Sequence, residues 1–240
     1  MPDSFTIASF NARWGRSVDD VPFDLGAVVR GLDADVVSLQ EVWVPDGEPG
    51  SVPSLAADLG YDHVHVPLSL SRVDPRPAIT HLPDEALGTW GVVVLSRLPV
   101  LGTRVVDLGR LVERWDVADR YGVLVDVGVG DVRVCVAGVH LSFALPNSAA
   151  QLRRLEGYLP TDRPSVVAGD CNLWGPAASA ILRRHRRAVR GRTWPAHRPH
   201  SQLDHILVSP EVQVVRGEVL GEAGSDHRPI RATLSVVGRT

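Results

Sequence analysis

Val166-Val167-Ala168-Gly169-Asp170-Cys171-Asn172 is the stretch that indicates the fold most directly. A β-branched, apolar strand ends at a carboxylate and an amide that stand two residues apart. Because strand side chains alternate between faces, Asp170 and Asn172 are predicted to point the same way, with Cys171 on the opposite face. Two interpretations stay open at this point. The pair either closes the strand as an Asx turn or holds a water and a phosphate oxygen together.

Polar residues also follow other apolar runs. Asn11 comes after the run 5–10, Gln40-Glu41 comes after 35–39, and His140 ends the run 132–140. Taken singly, each has an ordinary explanation: a turn former, a solvated carboxylate and a structural hydrogen bonder. Their repetition at strand ends is more informative, because loops held by a rigid sheet are where sites are usually built.

Two later segments form a further candidate pair. Asp204 is embedded at the start of the apolar run Leu203-Asp204-His205-Ile206-Leu207-Val208. Because a buried charge is costly without a partner, Asp204 needs one. Asp226 and His227 lie adjacent in Gly224-Ser225-Asp226-His227-Arg228-Pro229. His227 is an attractive partner for Asp204, which would fix the ring tautomer and raise its basicity.

Short valine-rich runs bounded by turn residues predict strands at 5–10, 35–39, 62–66, 90–96, 122–128, 132–140, 165–170, 204–208 and 230–236. Helical spacing predicts helices at 19–31, 53–59, 147–158 and 175–189, with Asn147 or Ser148 as a cap of the third. Pro-rich residues 45–52 and 67–89 are predicted loops. The order of elements favours mixed sheets covered by helices, and the absence of a linker favours a single domain over residues 1–240.

Composition is ordinary for a soluble globular protein, with 44% hydrophobic and 22% charged residues. Cys135 and Cys171 form no C-x-x-C pattern, which favours two reduced thiols in strands. No apolar run is long enough to span a bilayer, and strand-like alternation begins at Phe5. We therefore expect a cytoplasmic, monomeric protein without a leader.

Taken together, the motifs resemble the endonuclease/exonuclease/phosphatase family of metal-dependent phosphoesterases, which includes DNase I-like and exonuclease III-like enzymes. The matching segments are Ser9-Phe10-Asn11, Leu39-Gln40-Glu41-Val42, Gly91–Arg97, Val139-His140-Leu141, Gly169-Asp170-Cys171-Asn172, Thr193-Trp194-Pro195, Leu203–Val208 and Ser225-Asp226-His227. Cys171 and His205 replace aromatic residues that often stand there, which bears on packing more than on chemistry.

The resemblance implies a DNase I-like α/β fold, a four-layered sandwich of two mixed β-sheets flanked by helices. It also implies a magnesium-dependent phosphoester hydrolase that uses a metal-activated water, with Mn²⁺ as an alternative ion. By the same resemblance, the metal ligands would be Glu41, Asn11 and Asp226. Asp170 would orient or deprotonate the water, Asn172 and His140 would hold the phosphate, and His227 would act with Asp204. Arg120 stands where the family tends to place a basic residue that faces the substrate.

The substrate class is left open by the sequence. The net charge of −3 gives no overall attraction to a polyanion, although all 25 basic residues are arginine. Six arginines lie within residues 183–192, where they would either grip a phosphate backbone or form the solvated face of an amphipathic helix. No interleaved aromatic residues indicate a stacking platform for single strands.

We therefore expect a nuclease or general phosphodiesterase, and nucleic acid is a possible partner. The alternative is a phosphatase or phospholipase-type hydrolase of a lipid headgroup or small phosphorylated metabolite. A non-catalytic binding domain on the same fold is a third reading. A degenerate domain should have lost part of the polar set, and the whole set is present.

Overall fold

The computed structural model describes residues 3–69, 88–112 and 118–236. Its strands are β1 Asp3–Asn11, β2 Val36–Pro45, β3 Asp62–Ser69, β4 Gly88–Ser96, β5 Val100–Asp107, β6 Tyr121–Val129, β7 Val132–His140, β8 Ser165–Asp170, β9 Arg186–Arg187, β10 Asp204–Val208, β11 Val212–Val219 and β12 Ile230–Val236. Its helices are α1 Leu25–Leu32, α2 Ser51–Asp58, α3 Leu145–Glu156 and α4 Pro176–Ile181.

The strands form two six-stranded sheets. The first has the order β11-β12-β1-β2-β4-β3 and the second has the order β5-β6-β7-β8-β10-β9. Each sheet contains one parallel pair near its middle, β1 with β2 and β7 with β8. The other pairings are antiparallel, so both sheets are mixed. This confirms the DNase I-like fold class.

Three apolar layers hold the sandwich together. The largest lies between the sheets and takes side chains from both, such as Ile7 and Val136. A second packs the outer face of the first sheet against α1 and α2, and Leu39 is among its buried members. A third packs the outer face of the second sheet against α3 and α4 around Leu152 and Leu182. Burial of apolar surface on both faces of each sheet explains the valine-rich strands.

All nine predicted strands are present, with ends extended by up to six residues. Sequence patterns missed β5, β9 and β11. Each lies at the edge of its sheet, where one side of the strand has no neighbour. Most side chains of β5 and β11 are partly or fully exposed, and both strands contain a glycine and an arginine. Edge strands carry a weaker apolar alternation, which is why their pattern is hard to recognise.

Two helix predictions are wrong in extent. The predicted helix 19–31 begins only at Leu25, where Asp24 accepts a hydrogen bond from the Ala27 N–H and caps the helix. The predicted helix 175–189 ends at Ile181 and is followed by β9, whose Arg186 and Arg187 pair with β10. The arginine-rich segment is therefore not the face of an amphipathic helix.

The capping prediction for α3 is also wrong. The helix begins at Leu145, with Ala144 at its N-cap and no side-chain cap. Asn147 instead accepts hydrogen bonds from the N–H groups of Leu111 and Val112, and so ties the preceding β5–β6 connection to the helix.

The predicted loops are shorter than expected where the structure describes them. Residue 45 belongs to β2, and 51–52 belong to α2. Residues 67–69 and 88–89 belong to strands, while 70–87 lie outside the described residues. Within the described ranges, none of the helices has the length and apolar character that a bilayer crossing requires.

Candidate active site

The strand directions bring the predicted site residues to one rim. The parallel pairs β1–β2 and β7–β8 run toward this rim, so Asn11, Glu41, His140 and Asp170 lie at or near their carboxyl ends. Strand β10 runs antiparallel to β8, and its first residue, Asp204, pairs with Asp170. Residues that are far apart in sequence thus meet because of topology.

Asn11 joins the two sheets at this rim. Its Nδ2 donates to Glu41 Oε1 at 3.0 Å and to Asp170 Oδ2 at 3.1 Å. Glu41 reaches the rim through an irregularity in β2, where the register with β4 shifts between Leu39 and Val42. Its backbone is left-handed, with φ 52°, a conformation that non-glycine residues rarely adopt. Such strained positions cluster at functional sites.

The end of β8 confirms the first of the two interpretations of the 166–172 segment, the Asx turn, and the second, a site for a water and a phosphate oxygen, stays a prediction. The Asn172 N–H donates to Asp170 Oδ1 at 2.9 Å, so an Asx turn does close the strand. The strand prediction fails beyond Asp170, because Asn172 has a left-handed φ of 49°. Its Nδ2 donates to the Leu141 carbonyl at 2.9 Å, which fixes the amide beside the end of β7.

His140 stands between the two carboxylates. Its Nε2 lies 3.7 Å from Glu41 Oε1 and 3.7 Å from Asp170 Oδ2. Burial, and then the charge of Arg120, lower the pKa of His140 well below the ordinary value of 6.5. The ring is therefore neutral at physiological pH and can donate one hydrogen bond.

Arg120 lies behind His140. It is buried, its Nη1 donates to the His140 carbonyl at 3.4 Å, and its guanidinium sits 5.4 Å from the centre of the Trp90 ring. From this position, its charge favours the ionised form of Glu41. The sequence expectation that Arg120 touches substrate stays a prediction.

Asp204 and His227 form a buried pair. His227 Nδ1 lies 2.9 Å from Asp204 Oδ2, and the other ring nitrogen lies 3.8 Å from Asp170 Oδ2. Burial opposes a charged ring, but the carboxylates of Asp204, Asp170 and Asp226 together raise the pKa of His227 to about 10. His227 is consequently an imidazolium at neutral pH, in contrast to the neutral His140.

Asp170 and Glu41 both ionise less readily than ordinary carboxyls. Burial raises the pKa of Asp170 to about 7, and the neighbouring Asp204 adds to the rise against the opposite effect of His227. Burial also raises the pKa of Glu41. A carboxyl with a pKa near neutrality, in a polar cluster, has the properties of a general base.

Asp226 is held by residues that the sequence analysis did not assign to the site. Trp194 Nε1 donates to Asp226 Oδ2 at 3.2 Å, and Arg13 Nε lies 3.8 Å from Asp226 Oδ1. Ser225 Oγ donates to the same Oδ1 at 3.3 Å. The Thr193-Trp194-Pro195 motif was the available signal for Trp194, whereas Arg13 lies in a short turn with no pattern that points to a site.

The rim has a donor set that fits a magnesium ion. Its oxygen donors are the carboxylates of Glu41 and Asp226, and magnesium prefers such hard ligands. Asn11 Oδ1, from the third predicted ligand, already accepts from the Arg13 N–H at 3.0 Å, so only its second lone pair would serve the ion. The charge of Asp226 contributes to the raised pKa of Glu41, so the two carboxylates lie close enough to repel each other. A cation between them would relieve that repulsion.

A second grouping has metal-like spacing. One ligand atom from each of Asp170, Asp204 and His227 lies within 4.8 Å of the others. However, Asp204 is fully buried and its Oδ2 is already engaged with the His227 ring. We therefore interpret this grouping as a hydrogen-bonded chain, and Glu41, Asn11 and Asp226 remain the predicted ligands.

Comparison with known proteins agrees with this architecture. The model of the Endonuclease/Exonuclease/phosphatase family matches residues 8–227. The chain belongs to this family. The match spans the candidate site from Asn11 to His227, and the enzymes of the family are phosphoesterases. No curated protein sequence matches the chain significantly.

Solved structures of the family share the fold. A family protein from Beutenbergia cavernae DSM 12333 is 25% identical, covers 98% of this chain and 72% of its own, and superposes with a TM-score of 0.76. One from Bacteroides thetaiotaomicron is 16% identical, covers 99% of both chains and has a TM-score of 0.75. A mannosyl-6-phosphatase from Bacteroides thetaiotaomicron VPI-5482 is 16% identical, and the match covers 96% of this chain and 99% of the phosphatase, with a TM-score of 0.70.

Proposed function

We propose that this member of the family is a magnesium-dependent hydrolase of phosphoesters, with phosphodiesters such as nucleic acid as its leading substrate class. The observation that carries the proposal is the environment of Asp170. It is a buried carboxyl with a pKa of about 7, and it lies within 3.8 Å of both His140 and His227.

Asp170 is assigned the role of general base. As the oxygen of a water bonds to phosphorus, its proton passes to the Asp170 carboxylate, and the bond from phosphorus to the leaving oxygen breaks. The Asn172 N–H and Asn11 Nδ2 each donate to one oxygen of this carboxylate, which fixes its orientation. A base at hydrogen-bond reach with a pKa near the operating pH is the most effective arrangement.

The two histidines are assigned different electrostatic roles. His227 carries a positive charge and presents Nε2 toward the site, so it would stabilise the negative charge that develops on the phosphoryl oxygens. His140 is neutral and would contribute one hydrogen bond through Nε2. Donors that are aimed in advance at developing charge commonly supply the largest contribution to catalysis.

Glu41, Asn11 and Asp226 are the residues that would hold magnesium. When bound, magnesium polarises a phosphoryl oxygen and offsets the charge of the transition state. Asn172 is assigned to the phosphate, because its amide is already held at the end of β7 by the Leu141 carbonyl.

An activity screen tests the proposal. The protein should be assayed with Mg²⁺ against plasmid DNA, bis-p-nitrophenyl phosphate, sphingomyelin and inositol phosphates, each with and without EDTA. We expect hydrolysis of at least one phosphodiester that EDTA abolishes. Exclusive release of phosphate from small monoesters would instead favour a phosphatase. Inactivity on every substrate, or activity that survives EDTA, would contradict the proposal.

A further inference from the structure

A groove opens beside the candidate site, between the loop that follows β8 and the segment that leads to β10. It encloses about 310 Å³, and its lining includes Trp174, Gly175, Arg192, His200 and Ser201. Its volume is at the lower end of the range for ligand sites and would accommodate one planar ring with its attached phosphate.

The two segments that form the groove also carry residues of the candidate site. Trp174 stands two residues beyond Asn172, and the Gly175 N–H donates to the Gln202 carbonyl at 3.2 Å. One step nearer the site, the Cys171 N–H donates to the Leu203 carbonyl at 3.0 Å. These two hydrogen bonds join the walls of the groove directly beside Asn172 and Asp204.

Trp174 is unusual among the aromatic residues. It is 65% exposed, although tryptophan is normally buried over most of its surface. Within the described part of the chain, its ring makes no aromatic or cation–π contact. A large planar apolar surface is thus left in water in the lining of the groove, where a partner ring would cover it.

The lining of the groove is also cationic. Arg192 belongs to it, and among the residues that the structure describes it has no hydrogen bond or ion pair with the protein. It ends the arginine-rich segment 183–192, which contains six arginines and no acidic residue in a chain of net charge −3. The structure places this segment along β9, at the edge of the second sheet, and in the loop that runs from there toward the site.

We propose that the groove binds one nucleotide of a single-stranded nucleic acid, with the base stacked on Trp174 and a backbone phosphate on Arg192. This inference rests on the proposed hydrolysis of phosphodiesters at the adjacent site. The arginines at the edge of the second sheet extend the track along which the phosphate backbone would lie. Stacking on an aromatic ring beside a cationic track is the usual physical basis of single-strand binding.

The chemistry of the walls favours a nucleotide over a lipid. An acyl chain would cover Trp174 but would leave the Arg192 guanidinium and the His200 imidazole facing apolar atoms, which is costly. A nucleotide offers a planar face and an anion at the same time. Trp174 and Arg192 lie eighteen positions apart in the sequence, and the fold brings both to the lining of one groove, so no local pattern indicates that they act together.

Binding of two matched oligonucleotides tests the proposal. One is a fluorescein-labelled thymidine octamer, and the other is an octamer of the same backbone without bases. Asp170→Asn is placed in every protein to prevent turnover, Mg²⁺ is present, and affinity is measured by fluorescence anisotropy. The variants are Trp174→Ala and Arg192→Ala. The matched controls are Tyr158→Ala, in the turn that follows α3, and Arg30→Ala, on α1.

We expect the protein to prefer the octamer with bases, and Trp174→Ala to weaken its binding by at least about five-fold, as removal of a stacking aromatic does. Arg192→Ala should reduce the slope of log affinity against log salt by about 0.7, the contribution of one phosphate contact to a single strand. The two controls should match the parent protein.

Equal affinity for both octamers, no measurable binding, or unchanged binding by Trp174→Ala would each overturn the groove assignment. The proposed function fails separately. If the protein with Asp170 intact hydrolyses no phosphodiester while base-dependent binding is present, the proposed function is wrong and the assignment of the groove is retained. If hydrolysis is present without any base preference, the assignment of the groove is wrong and the proposed function is retained.

Discussion

The ring Nδ1 of His227 lies 2.9 Å from the carboxylate of Asp204, and both side chains are buried. The second oxygen of Asp204, Oδ1, has no hydrogen-bond partner within the described residues. Its charge is therefore compensated mainly by the imidazolium of His227. This arrangement fixes the tautomer of the ring, directs Nε2 at the site and keeps a positive charge beside Asp170.

Asp204→Asn should lower the pKa of His227, because it removes the carboxylate that stabilises the charged ring. We expect kcat on a phosphodiester to fall by about 10²-fold or more, since the ring loses both its charge and its fixed orientation. The pKa of His227, followed by NMR of the ring protons, should drop from its raised value. Asp126→Asn, at a carboxylate paired with Arg133 and Arg163, is the control. An unchanged kcat in Asp204→Asn would show that the pair is only structural.

Ionisation of Asp170 should destabilise the metal-free protein. Its folded pKa of about 7 lies above the ordinary value of 3.8, so the unfolded chain loses this proton at lower pH than the folded chain does. The resulting decrease in the free energy of unfolding is absent below about pH 4, grows as pH rises and is complete above about pH 7. In EDTA, Asp170→Asn should therefore raise the Tm at pH 8 more than at pH 4. A Tm gain that is the same at both pH values would contradict the raised pKa.

Magnesium should stabilise the folded chain through Glu41. A ligand that binds only the folded state raises Tm by mass action. We expect Mg²⁺ to raise the Tm of the parent protein and to raise that of Glu41→Gln by less than half as much. Thermal unfolding with increasing Mg²⁺ measures the difference, and Asp126→Asn should respond like the parent. An undiminished shift in Glu41→Gln would place the ion elsewhere.

Gly169 marks a close approach between β7 and β8. A Cβ there would lie 1.9 Å from the Val139 carbonyl oxygen, so the parallel strands that carry His140 and Asp170 could not keep their spacing. Gly169→Ala should cost at least about 1–3 kcal/mol of unfolding free energy, as overpacking does. Gly31→Ala, in α1 with open space around it, should instead stabilise by about 0.5–1 kcal/mol. Urea unfolding distinguishes the two, and equal effects would refute the steric argument.

The fold and the site differ in how far the sequence predicts them. Buried strands such as 165–170 carry continuous apolar runs, and the predicted bounds of this strand agree with β8, although β2 extends six residues past its predicted end. The position of Asp170 at a strand end followed from the apolar run that precedes it, whereas its convergence with residues near both termini followed from the resemblance to the family. The Asp204–His227 pair also followed from the rule that a buried charge needs a partner, and the structure confirms the contact.

What the sequence did not reveal depends on long-range contacts or on weak local patterns. The left-handed backbone of Glu41 arises from an irregular pairing of β2 with β4, and no residue pattern encodes it. Arg13 and Trp194 reach Asp226 from a turn and a loop, where periodicity is absent. The arginines of 183–192 have helical spacing, but β10 offers Arg186 and Arg187 a backbone partner, and tertiary pairing outweighs that local preference.

The most direct test of the central claim is the activity of Asp170→Asn on bis-p-nitrophenyl phosphate with Mg²⁺. Asp126→Asn is assayed beside it, and circular dichroism verifies that both variants are folded. We predict that Asp170→Asn lowers kcat by about 10²–10⁴-fold, the usual contribution of a general base, while Asp126→Asn retains parental activity. Parental activity in a folded Asp170→Asn protein would contradict the assignment of this rim as the active site.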